Sequence, residues 1–327
     1  MRYLLDGSVR RAGDRVRVNA ELTEAMTGRN IWSQVCDAEV KDIFGVQEDI
    51  ARRVVGAAAV KLTRFERERA LDKPTSSLAA YEYVLRGREV FSHATRESKH
   101  EAQEMFQRAI DLEPSYAGAY AALGLSFIEA VTSRWTEFIA DDISRAETLA
   151  QKALSLDPAS TTAYHLLAIV DLDKGHLDLA LGQTDRALEI NPSDAESYMT
   201  RGSILVWAGI AAEALPWLEG ALRLDHADAR ASLFLVMAYY LLGRYGEAIE
   251  PIDRALVGNL GHNTQLLGRP ILAATYAKLN KPQDVERERI TSMRMSPFFD
   301  AERFAAQFGT QEARDHMLDG LIKAGFH

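Results

Sequence analysis

The stretch DLDKGH at 171–176 places Asp171, Asp173 and His176 within one short segment, and carboxylates with an imidazole so close could hold a cation. A helix–loop–helix calcium site needs glycine at the sixth loop position and glutamate at the twelfth. Here glycine is fifth and the twelfth position is Gly182. A turn between two helices explains the stretch more completely. The histidines show no zinc spacing of the His-Glu-x-x-His kind. His165 falls on a helix facing a groove, and His316 reads as a residue of an exposed helix surface. Cys36 is the one cysteine. It sits in a strand with no histidine or basic cluster beside it to favour a thiolate, which makes it a packed thiol and not a nucleophile. GNLGHN at 258–263 lacks the Lys-Ser/Thr that completes a phosphate-binding loop. Arg10, Arg11, Arg15 and Arg17 form a basic cluster in a nearly charge-balanced segment and read as a solvated strand face. The residues that could do chemistry therefore predict no catalytic set, no metal, no cofactor and no enzyme.

Composition narrows the classes further. The 327 residues carry a formal net charge of −9 with 47% hydrophobic and 26% charged residues, an ordinary water-facing balance. An acidic chain is poorly suited to general nucleic-acid binding, which relies on displacing counterions with a basic surface. No apolar run approaches the ~18 residues of a membrane span, and residues 1–10 lack the apolar core of a secretory signal. A single cysteine fits a reducing, cytoplasmic setting.

The elements that would position any site are set by a repeat. RAIDLEP (108–114), KALSLDP (152–158), RALEINP (186–192), GALRLDH (220–226) and RALVGNL (254–260) share a central alanine at 109, 153, 187, 221 and 255. The steps are 44, 34, 34 and 34 residues. A period of about 34 is that of a tetratricopeptide unit, a helix–turn–helix that stacks on its neighbours. The long first step predicts an insertion within the second unit, around 131–142. In the third unit Tyr164, Leu167, Ala168, Gly175, Ala180, Ala187 and Pro192 sit at the offsets such a hairpin needs. The alanines allow close helix approach, Gly175 permits the turn, and Pro192 ends the second helix.

Before the repeats the period changes. Val16, Val18, Ala20 and Leu22 alternate with Arg15, Arg17, Asn19 and Glu21, which predicts a half-buried strand. RYLLDGSV (2–9) and NIWSQVCD (30–37) predict partner strands, with turns at Gly13 and at Thr27-Gly28. Ile43, Val46, Ile50, Val54 and Ala57 then predict one apolar helix face over 42–62. The expected fold class is mainly α: a right-handed tetratricopeptide α-solenoid preceded by a partial α/β segment of order β-β-β-α. Its expected divisions are the segment 1–71, a linker 72–77, repeats over 78–290, and capping helices over 291–327 that close the end of the stack.

First helices of stacked hairpins line an inner groove. This predicts a protein-binding surface of His165, Ile169 and Asp173 from the third unit. The fourth adds Glu196, Met199, Ser203, Val206 and Trp207, and the fifth Arg230, Leu233, Met237, Tyr240 and Leu241. Methionine and tryptophan there would offer adaptable, large-area contacts. The competing expectation is that they pack against a neighbouring repeat or the chain's own terminal helices.

RYLLDGSVRRAGDRVRVNAELTEAMTGRNIWSQ followed by DIFGVQEDIARRVV, with LDGLIKAGF (318–326) at the end, resembles the carboxy-terminal region of bacterial class III adenylate/guanylate cyclase-type proteins. In these a TolB-amino-terminal-like α/β module precedes tetratricopeptide repeats. The resemblance implies that the catalytic domain, which lies amino-terminal in that family, is absent from this sequence along with the first strand and helix of the module. It implies a cytoplasmic interaction or scaffold module of a bacterial signalling protein. Such a module would bind a protein or peptide in the groove and pair with a second copy through its N-terminal strands, with no nucleic-acid partner. The alternative implied reading is the regulatory part of an adenylate cyclase.

Overall fold

The computed structural model describes residues 3–24, 28–42, 45–47, 50, 75–93, 95–133, 135–251 and 262–327. Most of the helix expected over 42–62, residues 72–74 of the expected linker, Thr27, Ala255 and residues 258–261 of GNLGHN lie outside the described residues. The chain divides into two compact units, 1–81 and 82–327.

In the first unit, β1 (Tyr3–Ala12), β2 (Arg15–Glu24) and β3 (Arg29–Glu39) form an antiparallel sheet in the order β1-β2-β3. The alternation works as read. Val16, Ala20 and Leu22 are buried, and β3 places Cys36 opposite Val18 and Trp32 opposite Leu22 on the same face. The other face is polar. Arg17 makes a two-pronged contact with Asp37 at 2.7 and 2.8 Å, and Asn19 Nδ2 donates to Ser8 Oγ at 3.0 Å. β1 is different: its side chains from Leu4 to Ala12 are all exposed.

The second unit is built of helical hairpins. Their described helices are α1 (Leu78–Phe91), which begins before the unit boundary, and α2 (Arg96–Leu112). α3 (Ala117–Thr132) pairs with α4 (Ile139–Leu156), and α5 (Thr161–Asp173) with α6 (Leu177–Ile190). α7 (Ala195–Trp207) pairs with α8 (Ala211–Leu224), and α9 (Ala229–Leu241) opens the fifth hairpin. α10 (His262–Lys278) and α11 (Pro282–Met295) follow. The alanines of the repeated phrase, Ala109, Ala153, Ala187 and Ala221, are essentially inaccessible, as are Ala168 and Ala180. Without side chains beyond Cβ, they let paired helices approach. Gly175, Gly209 and Gly243 turn each hairpin at φ 78, 80 and 70°, and Asn280 takes the same role at φ 55°. This is the left-handed region, where glycine is unstrained and asparagine is the best tolerated substitute.

The phrase ends in a way that proline alone does not explain. The residue before it accepts a hydrogen bond from the backbone two places on: Asp157 from Ala159 N at 2.9 Å, Asn191 from Ser193 N at 3.2 Å and Asp225 from Ala227 N at 3.0 Å. Such side-chain turns replace the helix ladder as it runs out. His226 stands where Pro158 and Pro192 stand, and the turn is unchanged. The long first step is also distributed. α3 has 16 residues against 13 in α5, α4 has 18 against 14 in α6, and the intervening loop spans 133–138. The insertion thus lengthens both helices as well as the loop.

α12 (Ala301–Ala305) and α13 (Gln311–Lys323) do not simply extend the row. α13 packs on α9 and α10, the first helices of the fifth and sixth hairpins. Phe304, Phe308, Met317, Leu321 and Phe326 join the same continuous core as Leu218, Met237 and Ile271. The expected end-cap folds back on the stack because this phenylalanine-rich segment needs more apolar cover than one terminal helix offers.

Candidate functional site

The repeat brings equivalent side chains of successive first helices into rows. One row is Leu125, Ile169, Ser203 and Met237; the next is Glu129, Asp173, Trp207 and Leu241. The early members stay accessible: Leu125, Ile169, Ser203 and Glu129 are half-buried and Asp173 is exposed. Protein around Asp173 nevertheless pushes its carboxyl above the ordinary range, with Lys174 opposing in part.

Of the later members Met237 is buried, and Trp207 and Leu241 are half-buried against the core. Trp207 lies 5.0 Å from the Phe308 ring, 6.3 Å from Phe304 and 6.4 Å from Phe234. The Gly309 N–H donates to the Trp207 carbonyl at 2.8 Å. A Cβ on Gly309 would meet the Ala208 carbonyl oxygen at 2.6 Å, and one on Gly209 would meet Thr310 Oγ1 at 2.4 Å. Two glycines therefore permit this close approach. Val206, Met237 and Tyr240 are fully buried, Met199 and Leu233 nearly so. Tyr240 donates to the His316 carbonyl at 2.9 Å, and Tyr245 Oη is 2.8 Å from His316 Nε2. Burial pushes the Tyr240 phenol well above its usual range, reinforced by Tyr245 and Asp319. Of the expected groove surface, then, Met199, Val206, Leu233, Met237 and Tyr240 are buried in the core, while Trp207 and Leu241 are half-buried against it. His316 is part-buried against two tyrosines and not on an open helix surface. Burial, with Lys278, holds it below the ordinary histidine range, partly offset by Asp319 and Glu312.

Arg230 and Glu196, both expected on the groove, spend their charges on each other. Arg230 bonds Glu196 at 3.1 and 2.6 Å and Asp228 at 3.3 Å. Burial alone would lower the Arg230 pKa; the two carboxylates outweigh it and raise it.

His165 belongs to a Ser-His-Asp cluster that resembles nucleophilic machinery only in composition. Its Nε2 is 2.7 Å from Ser197 Oγ and 3.2 Å from Asp194 Oδ2, while Ser197 Oγ donates to that same Asp194 oxygen at 2.6 Å. One imidazole nitrogen meets both partners, and the serine proton already points at the carboxylate. Nε2 must donate to the serine oxygen, the reverse of what an activating base does. Asp194 also caps α7, accepting from Ser197 N at 3.2 Å. Burial pushes the Asp194 carboxyl up, but bonds from His165 and Ser197 outweigh it and leave it below its usual range. The cluster is a cap that ties α5 to α7.

Among the described residues there is also an accessible cleft lined mainly by apolar side chains, and no sequence signal marked it. Ser133 and Trp135 of the α3–α4 loop meet Leu266 of α10 and Met295 to Phe298 beyond α11 around a cleft of about 320 Å³. Phe298 is 94% exposed. Ser133 Oγ donates to Glu129 at 3.1 Å, which joins the cleft to the accessible end of the rows. Among the described residues, no group of three or more His, Cys, Asp or Glu side chains could hold a metal ion, and no helix is long and apolar enough to cross a membrane.

Residues 165–229 and 200–261 match the family model described as tetratricopeptide repeat. The architecture is a mainly helical tetratricopeptide-repeat solenoid. A Rhizobium meliloti (strain 1021) protein named "Putative adenylate cyclase 3" is 33% identical over 169 residues, 52% of this chain and 29% of that protein. The chain spans less than a third of the length of the curated relatives it matches. Among solved structures, the APC/C hetero-tetramer Cut9–Hcn1 is 16% identical with a TM-score of 0.56, covering 86% of this chain and 52% of that one. PilW, a type IV pilus biogenesis factor, is 12% identical with a TM-score of 0.50, covering 69% of this chain and 97% of that one. At such identities these two speak for the fold alone, which is preceded here by a small three-stranded sheet.

Proposed function

We propose that this chain is a non-catalytic scaffold of a bacterial signalling protein, cytoplasmic, which binds a protein segment along the accessible end of its first-helix rows. The observation that carries the reading is the cleft of Trp135, Leu266, Met295 and Phe298, whose Ser133 bonds Glu129 of the first-helix rows. A phenylalanine left 94% exposed at the rim of an apolar cleft is the arrangement of a binding anchor. Photo-cross-linking from position 298 in source-cell extract, followed by peptide identification, tests it. One dominant cross-linked segment that disappears with Trp135→Ala and persists with Leu179→Ser would support the reading; equal labelling of many proteins by both variants would remove it.

The likeness to the Rhizobium protein supports reading such a scaffold as part of a nucleotide-cyclase signalling protein. The chain itself is expected to form no cyclic AMP from ATP with manganese. Measurable product would overturn the non-catalytic reading in favour of the cyclase one.

A second reading concerns the first unit. The outer edge of β1 has no strand beside it in the described sheet, and an unpaired edge is a template for pairing. Self-association through this edge is the proposal, independent of the groove.

A further inference from the structure

β1 reads YLLDGSVRRA, and this stretch is complementary to itself when run backwards. Its apolar-face residues include Leu5, at 51% exposure, and Val9, at 67%, placed opposite Leu22 and Val18 of β2. Its polar-face residues include Asp6 and Arg10. Gly7 lies midway between Leu5 and Val9.

The hairpin fixes which backbone groups are free. Ala12 and Arg15 flank a two-residue turn, and residues in that place exchange both backbone bonds. Even-numbered residues of β1 therefore direct N–H and C=O toward β2, and the odd-numbered ones, Leu5, Gly7, Val9 and Arg11, direct theirs outward.

We propose that β1 pairs antiparallel with β1 of a second copy, with Leu5 opposite the partner's Val9 and Gly7 on the two-fold axis, joining two three-stranded sheets into one of six. This rests on the self-association reading above and specifies its register. Outward backbone groups meet outward backbone groups throughout. Two directly opposed Leu–Val pairs close the apolar face, the closest cross-strand arrangement. On the polar face Asp6 lies opposite the partner's Ser8 and diagonal to the partner's Arg10, within reach of a long side chain. Leu4 lies under the stem of the partner's Arg10.

Neighbouring registers do worse. Slipping one way by two residues sets Asp6 against the partner's Asp6; slipping the other way sets Leu5 against the partner's Arg11. The choice of a second copy over an unrelated strand follows from this self-complementarity. Run antiparallel on itself, β1 sets each Leu5 against a Val9 and each Asp6 carboxylate diagonal to an Arg10 guanidinium, a pattern an unrelated strand would have to match by chance.

Solution mass and disulfide trapping test it on the full chain. Light scattering on the wild type should give twice the 36.3 kDa chain mass. In a Cys36→Ser background, oxidised mixtures of Leu5→Cys with Val9→Cys should cross-link, and neither variant alone should. Asp6→Arg and Arg10→Asp should each raise the dimer dissociation constant about tenfold, since each places like charges together at two symmetric sites, and the double variant should restore it. All four positions are exposed, so circular dichroism should be unchanged. A dimer that cross-links through Leu5→Cys alone, or ignores the charge swap, would overturn the register and leave self-association standing. A monomer at all concentrations would overturn both and leave the groove reading untouched. A monomer whose β1 edge is held by another polypeptide would overturn the choice of a second copy.

Discussion

At the scale of the residue, side-chain type misled where burial came from far along the chain. Trp207 carries every sequence mark of a contact residue on an open face, yet three phenylalanine rings surround it. Trp207→Ala should accordingly lower unfolding stability by about 3 kcal/mol, as expected for emptying a packed aromatic site, read from urea denaturation. A change below about 0.5 kcal/mol would return the residue to the surface. His316 gives a second test. Its pKa is lowered from 6.5 in the folded chain, so the fold prefers the neutral ring and the unfolded chain takes up its proton first. The contribution is complete above the unfolded value and is lost as pH falls below it. The difference in melting temperature between wild type and His316→Gln should be constant from pH 8 to 7 and shrink toward pH 5. A difference that grew on acidification would show a ring stabilised in its charged form. These two residues were illegible in sequence for one reason: their distant partners, 304–309 for Trp207 and 240–245 for His316, share no periodicity with them. The buried alanines were legible because their partners lie within the same hairpin.

At the scale of the element, what the repeat phrase encodes is a turn more than a proline. Asp157, Asn191 and Asp225 have nearly the same backbone angles, with φ of −134, −137 and −135° and ψ of 95, 93 and 94°. The first two already precede proline, so the third has the extended conformation that proline demands of the residue before it. His226→Pro should therefore raise stability by about 0.4–1 kcal/mol by narrowing the unfolded ensemble, measured as a shift of the urea midpoint at unchanged slope. A destabilised variant would mean that residues 226–228 differ from 158–160 despite their shared dihedrals. The strands were readable from alternation because each pairs with a near neighbour across a short turn. The exposed β1 was not readable, since alternation gives the two faces of a strand and says nothing about its outer edge.

At the scale of the whole second unit, a repeat array is expected to be stabilised by contacts between adjacent units, and to lose them one interface at a time. Here residues 299–326 reach back over three hairpins, from Phe326 in the common core to Gly309 on Trp207. Deleting 299–327 should uncover Trp207, Met237 and Tyr240 together. The expected outcome is strong binding of a hydrophobic dye and loss of a single cooperative melting transition. An unaltered melt would show that the stack is held by nearest neighbours alone. The same fold-back has a consequence during synthesis. Chains emerge at roughly 5–20 residues per second, so the aromatic surface of the fourth and fifth hairpins stands uncovered for roughly 3–12 seconds before its cover leaves the ribosome. That interval is when the nascent protein is most exposed to chaperones, and a stalled or prematurely terminated message would leave it there for good.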